Sequence, residues 1–267
     1  MKKIFLTGAS SGIGFAVAKS LSARGDEVWG TSRDAARIPQ LSRLHAVRLD
    51  LLDPNSIEQA FHHSLSEAAY FDVVINNAGS GHFDAAEHLP DDEIEKQFQI
   101  LVFGHLQLMR LALAAMRARG KGLIINVTSL ASRLPVPFMA AYNAAKAAMA
   151  AYTMSIQLEL PDSNVRIVDL QPADISTAFN DAVPKKTDSD PLYEERVAKT
   201  WVAVDRNLKK APPPELVAKH VLRLIDSPNP PPRITVGDAF QSKVAPFIFR
   251  LLPQRVRIWG LKMYYRI

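Results

Sequence analysis

The chain has 267 residues, 48% of them hydrophobic, and contains no cysteine. Disulfides, thiolate metal sites and a cysteine nucleophile are therefore excluded, no metal site is expected, and the length suffices for one sizeable core. A net charge of +5 suits anionic ligands, but no basic stripe interleaved with aromatics marks a nucleic-acid surface, so no nucleic-acid partner is expected.

Lys3 to Leu6 reads as a short buried strand. Its apolar run is too short for a signal peptide, and it leads into Thr7-Gly8-Ala9-Ser10-Ser11-Gly12-Ile13-Gly14. Further strand-like runs are Glu27 to Thr31, Ala46 to Leu49, Val73 to Ile75, Leu123 to Val127 and Arg166 to Leu170. Helical patterns lie between them, at Ile13 to Ala23, Ser56 to Ala68, Asp91 to Met116 and Phe138 to Leu160. Gly25, Gly120 and Gly122 stand where helices should stop, and Asp53 or Asn55 caps the helix at Ser56. No apolar stretch approaches the roughly 20 residues that span a bilayer. The alternation predicts a doubly wound α/β fold, a parallel sheet with helices on both faces.

The last quarter differs in composition. Asp181 to Pro191 is polar and proline-bounded, and reads as mobile. Pro212-Pro213-Pro214 precedes a helix at Glu215 to Asp226, and a last strand follows at Arg233 to Val236. After Ala239 every charged residue is basic: Lys243, Arg250, Arg255, Arg257, Lys262 and Arg266, among Phe247, Ile248, Phe249, Leu251, Leu252, Trp259 and Tyr264. This predicts one or two basic amphipathic helices broken at Pro253. They cover the active site, pack at a subunit interface or lie on an anionic membrane.

Gly8, Gly12 and Gly14 follow a strand and open a helix, the context a dinucleotide site requires. Ser10, Ser11 and Ile13 complete the turn, and the helix N-terminus adds partial positive charge for a pyrophosphate. The second strand ends Thr31-Ser32-Arg33, without the acid that would hold an adenosine ribose. Arg33, with Arg37 in the same stretch as a candidate helper, is placed to meet a 2′-phosphate, so NADP(H) is expected over NAD. Asp50 is a candidate for the adenine amino group, or else a helix cap. Asn77 and Gly79, in Asn76-Asn77-Ala78-Gly79, fall at the carboxyl edge of the fourth strand, where ligands bind in open α/β sheets.

Tyr142 and Lys146 stand at i and i+4 on one helix face. A neighbouring ammonium favours the phenolate, making Tyr142 a candidate acid and base toward a carbonyl or alcohol oxygen. Ser129, just past the fifth strand, can hydrogen-bond the same oxygen, and with Tyr142 forms the expected substrate contact. Lys146 can also hold the nicotinamide ribose. Pro172, Ile175 and Thr177, after the sixth strand, can carry the nicotinamide carboxamide.

Taken in order, Thr7-Gly8-x3-Gly12-x-Gly14, Asp50, Asn76-Asn77-Ala78-Gly79, Ser129, Tyr142-x3-Lys146 and Pro172 to Thr177 resemble the short-chain dehydrogenase/reductase family over about residues 1 to 180. The resemblance implies a single domain with a seven-stranded parallel sheet, and Ser129, Tyr142 and Lys146 as the catalytic group. It also implies a substrate lid between about residues 177 and 211, and homodimers or homotetramers packed through helices near 95–117 and 139–160. Two departures stand out. Leu101 in Ile100-Leu101-Val102-Phe103-Gly104 replaces the family asparagine that holds a relay water, and Ala173 replaces a turn glycine.

The lid segment holds Phe179, Val183, Leu192, Tyr193, Val197, Trp201 and Val204, and Leu134, Val136, Phe138 and Met139 lie near Tyr142 in sequence. These apolar residues point to a lipophilic ketone or aldehyde of steroid, retinoid or acyl-chain type. The C-terminal extension, residues 239 to 267, is similar to that of family members acting on such substrates. Two alternatives are a carrier-linked 3-oxoacyl reductase, and a nucleotide-sensing protein with weak chemistry because of Leu101. The cysteine-free chain fits a cytoplasmic, reducing setting, with peripheral membrane contact through the extension as a further possibility.

Overall fold

The computed structural model describes residues 1–160, 164–179 and 190–267. The expectations for residues 181–189, Val183 among them, lie outside the described residues. Strands are β1 (Lys3–Thr7), β2 (Glu27–Ser32), β3 (Leu44–Arg48), β4 (Val73–Asn76), β5 (Lys121–Val127), β6 (Asn164–Pro172) and β7 (Arg233–Val236). Helices are α1 (Gly12–Ala23), α2 (Pro54–Ala68), α3 (Asp91–Phe98), α4 (Gly104–Arg119), α5 (Ala140–Glu159), α6 (Pro191–Leu208), α7 (Glu215–Asp226), α8 (Ala245–Leu251) and α9 (Gln254–Tyr265).

All seven strands pair in parallel in the order β3-β2-β1-β4-β5-β6-β7. The chain winds outward from β1 in one direction and from β4 in the other. The crevice between their carboxyl ends is the switch point where such sheets bind ligands. The central strands divide their side chains between two cores by the two-residue period. Phe5, Val74, Ile124 and Ile167 face α2, α4 and α5, whereas Ile4, Leu6, Ile75, Ile125 and Val168 face α1 and α7. Both faces of the sheet are covered, which is why the strands read as continuous apolar runs rather than alternating ones.

One local feature settles an open choice and two depart from the sequence expectations. Asp53 caps α2 by accepting from the Asn55 N–H at 2.9 Å, which settles the choice between the two residues. Gly120 ends α4 in the left-handed region, but Gly122 is not a helix stop; it lies within β5. A Cβ on Gly122 would come within 2.3 Å of Met116 Sδ, so the residue serves close helix–strand contact. Finally, α3 and α4 form one long helix interrupted by a π turn at Gln99–Phe103. This helix, Asp91–Arg119, is long and apolar enough to cross a membrane by length and composition alone, contrary to the sequence reading. Leu101, Leu108, Met109, Ala112 and Met116 are buried in the core beside the sheet, so its apolar side is already used in the fold.

Candidate active site

The glycine turn joins β1 to α1 at the switch point. Gly8 and Gly12 adopt φ of +75° and +53°, the left-handed region open to glycine. A Cβ on Gly14 would lie 2.0 Å from the Gly8 carbonyl oxygen and 2.5 Å from Asn77 Nδ2, so only glycine fits. A Cβ on Gly12 would instead point at Thr177, 3.6 Å from its Cβ, so the turn and the segment after β6 face each other. Ser11 enters α1 in extended conformation without capping it through its side chain, which leaves first-turn N–H groups for an anion. Ser10 lies in the same turn, and Ile13 packs partly on the α1 core. Asn77 braces the turn, donating from Nδ2 to the Thr7 carbonyl at 3.0 Å. Thr7 Oγ1 in turn accepts the backbone N–H groups of Asn77 and Ala78 at 2.9 and 3.0 Å. This glycine cradle fits a nucleotide pyrophosphate.

Register places the second strand beside this turn, with Thr7 opposite Thr31 and the Ala9 N–H bonded to the Thr31 carbonyl at 2.9 Å. Arg33 therefore stands exposed just past β2, next to the cradle, while Asp34 caps the short helical turn that carries Arg37. Asp50 lies half-buried after β3; its Oδ1 accepts from the Leu52 N–H at 3.0 Å and shapes the turn into α2. On the opposite side, Pro172 ends β6 and Ile175 is buried, while the Ala173 N–H donates to Val236 at 2.7 Å. The methyl of Ala173 fits because Gly237 faces it: a Cβ on Gly237 would come within 2.6 Å of Ala173 Cβ.

At the end of β5, Ser129 opens a short helical turn and its Oγ accepts from the Ala131 N–H at 3.1 Å. Tyr142 on α5 approaches the Ser129 side chain, which favours its phenolate. Lys146, one turn further along α5, is buried; Nζ donates to the Val127 carbonyl at 2.9 Å and lies 5.8 Å from the centre of the Tyr142 ring. The three residues are thus brought together at one strand end. Their acidities depart from the sequence reading. Burial pushes the Tyr142 phenol up, and the neighbouring Ser129 side chain only partly offsets it. Burial brings Lys146 down to about 8, against the opposing pull of Asp169. The expectation that a neighbouring ammonium makes the phenol unusually acidic is therefore corrected: desolvation outweighs it.

Leu101 is fully buried in the π turn, against Gly79: a Cβ on Gly79 would lie 3.2 Å from Leu101 Cδ2 and 4.0 Å from Lys146 Nζ. One turn on, buried His105 brings Nε2 to 3.5 Å from Thr7 Oγ1. Burial, helped by the Lys146 charge, pushes His105 down to about 3 against a hydrogen bond to the Leu101 backbone, so its ring is neutral. Sequence reading missed His105, and only its place immediately after the family-pattern glycine Gly104 could have drawn attention to it. It also missed Asp169, whose one signal was an acid inside an apolar strand. This carboxylate accepts from Gln171 Nε2 at 2.8 Å, Arg233 Nε at 2.7 Å and the Thr128 hydroxyl.

Beside Tyr142 lies a separate apolar cluster of Phe83 and Met139 with Val136, Phe138, Phe179, Val197 and Trp201. The Phe179 ring centre is 5.9 Å from that of Tyr142, and Trp201 meets Phe83 edge-on at 5.1 Å. Helix α6 thus carries Val197 and Trp201 to the reaction centre, whereas Leu192 on the same helix points to solvent, 69% exposed. Phe83, in the loop after the asparagine turn, carried no sequence signal.

Parallel sheet, switch-point cradle and the Ser129–Tyr142–Lys146 cluster together define a nucleotide-binding oxidoreductase of Rossmann architecture. The short chain dehydrogenase family model matches residues 2–188, and the chain belongs to that family. It is 28% identical to a 3-ketodihydrosphingosine reductase of Bacteroides thetaiotaomicron, over 99% of this chain and 98% of that one. A probable short-chain type dehydrogenase/reductase, VdlC, of Helicobacter pylori is 31% identical over 73% of this chain and 74% of its own. Among solved structures, a short-chain dehydrogenase from Streptomyces avermitilis superposes with a TM-score of 0.80 at 26% identity, covering 99% of this chain and 97% of that one.

Proposed function

We propose that this chain reduces the ketone of a long-chain, lipophilic substrate to the alcohol, reversibly, with NADPH. The observation that carries the reading is the convergence of Ser129, Tyr142 and Lys146 at the end of β5, beside the apolar cluster of Phe83, Met139, Val197 and Trp201. Bound at the glycine cradle, the cofactor supplies the hydride. Gly8 to Gly14 and the N-terminus of α1 hold the pyrophosphate, Arg33 the 2′-phosphate, and Asp50 the adenine edge. Lys146, Asn77, Gly79, Pro172, Ile175 and Thr177 line the nicotinamide end. Ser129 and Tyr142 grip the substrate oxygen, and Tyr142, kept protonated by burial, delivers its proton to that oxygen as negative charge develops. Lys146 holds positive charge beneath the phenol and stabilises the phenolate left behind. Apolar side chains exclude water and bind the hydrocarbon.

The name of the Bacteroides relative makes 3-ketodihydrosphingosine the first substrate to try. NADPH oxidation is expected with it and with other long-chain ketones, and roughly a hundredfold or more less with short polar carbonyls. Tyr142→Phe should lower kcat by about a hundred- to ten-thousandfold while leaving NADPH affinity intact. Equal turnover in the variant, or a preference for short polar carbonyls, overturns the reading; cofactor binding without turnover on any carbonyl favours the nucleotide-sensing alternative. Two further parts of the proposal are a reducing, cytoplasmic setting, matched by the absence of cysteine, and self-association through the long helices. Phe103, Met154 and Leu158 stand exposed on α5 and at the π turn, as an interface there would use them.

A further inference from the structure

The C-terminal arm has few buried side chains to account for its apolar content. From 245 to 267 only Tyr265 is buried, while Phe247, Leu251, Trp259 and Met263 are 63–67% exposed. On α9, Val256, Trp259 and Met263 recur at i, i+3 and i+7 and form one stripe; Arg255 and Lys262, seven residues apart, lie beside it, and Arg266 follows just past the helix end. On α8, Phe247, Ile248 and Leu251 make a second exposed apolar patch. None of the six basic residues from Lys243 to Arg266 meets a carboxylate among the described residues. Arg257 is spent internally on the carbonyls of Leu252 and Arg250. The arm is nevertheless anchored next to the reaction centre. Asn207 on α6 donates to the Tyr264 hydroxyl at 2.8 Å, and Gln241 bonds Asp174 in the segment after β6.

We infer that α8 and α9 form a docking surface for an anionic lipid bilayer, with the apolar stripes entering the headgroup boundary and the basic stripe meeting lipid phosphates. Charge complementarity selects this occupant. A second copy of the arm on a two-fold contact would set one uncompensated basic face against another. An apolar partner alone would leave Arg255, Lys262 and Arg266 without counter-charges, whereas an anionic leaflet satisfies both stripes at once. This goes beyond the catalytic reading and stands without it, because it concerns binding and not turnover.

The test is co-sedimentation of the full chain with phosphatidylcholine vesicles, alone or with 30% phosphatidylserine. Strong binding is expected only with the anionic lipid, weakening as salt rises. Arg255→Gln/Lys262→Gln/Arg266→Gln should lower partitioning roughly a hundredfold, at about fivefold per charge. Trp259→Ser/Phe247→Ser should lower it as well, with circular dichroism and the melting temperature confirming an intact fold. Failure to sediment with anionic vesicles at low salt overturns the inference. So does equal binding to neutral vesicles, or a variant that releases no lipid but dissociates an oligomer in light scattering. If no carbonyl substrate is turned over yet vesicle binding persists, only the catalytic proposal falls.

Discussion

Burial sets the protonation states at the reaction centre. The phenol of Tyr142 keeps its proton at neutral pH because desolvation disfavours the phenolate more than Ser129 favours it. Lys146 presents the opposite case: burial brings it down to about 8 in the fold, against an ordinary lysine value of 10.5. Between those values the unfolded chain binds the extra proton, so the fold gains stability as pH rises through about 8 to 10.5 and loses it as pH falls. Urea midpoints at pH 7.5 and 9.5 should show wild type gaining roughly 2 kcal/mol more than Lys146→Met; identical pH trends would rule this out. Arg33 makes a different kind of statement. It is exposed and makes no contact with a carboxylate among the described residues, in keeping with a residue waiting for a phosphate. Arg33→Ala should raise the KM for NADPH roughly tenfold to a hundredfold, the loss of one or two charge-assisted hydrogen bonds, and leave that for NADH unchanged. Equal effects on both cofactors would remove Arg33 from the 2′-phosphate site.

Individual elements carry devices that single residues do not reveal. On β6, buried Asp169 gathers Arg233, Gln171 and Thr128 and also pulls on Lys146, tying the sheet behind the site to the charge in front of it. Asp169→Asn leaves Arg233 and Lys146 without that counter-charge. It should cost about 3 kcal/mol in denaturant unfolding, discounted for the partial exposure of Arg233. It should also lower the Lys146 ionisation further, read as an earlier alkaline change in the pH profile of turnover. No stability loss would mean the carboxylate is a bystander. The π turn at Gln99–Phe103 has a related character. It turns Leu101 inward over Gly79, and His105 bonds back to the Leu101 backbone while reaching Thr7. Lys146 therefore faces a leucine and a neutral imidazole where the family pattern places an amide.

At the scale of the whole molecule, two exposed apolar surfaces stand out among the described residues. One is the outer face of the long helices, where Phe103, Leu106, Arg110 and Tyr152 line a concavity and Leu158 is 82% exposed. If copies assemble there, Phe103→Asp/Leu158→Asp should shift the protein from oligomer to monomer in light scattering, since placing carboxylates in an apolar contact costs several kcal/mol. An unchanged mass would place the interface elsewhere. The other surface is the C-terminal arm, whose charge and apolar stripes call for a different partner.

What could be read from residues alone was whatever local chemistry enforces. Strand-like runs and glycine stops come from backbone sterics and from burial on both faces, so the parallel sheet and most element cores were legible, with ends shifted by a few residues. The ordered motifs from Thr7 to Thr177 named the turns that meet at the switch point, because each turn demands particular residues whatever packs around it. Gly122 was misread because its need comes from Met116 on a neighbouring helix, not from its own backbone angles. The roles of His105, Phe83 and Asp169 went unassigned for the same reason: they exist only where distant segments converge. Acidity belongs with these. A sequence can place an ammonium one turn from a phenol, but only the depth at which the fold buries the pair decides which of them is shifted, and in which direction.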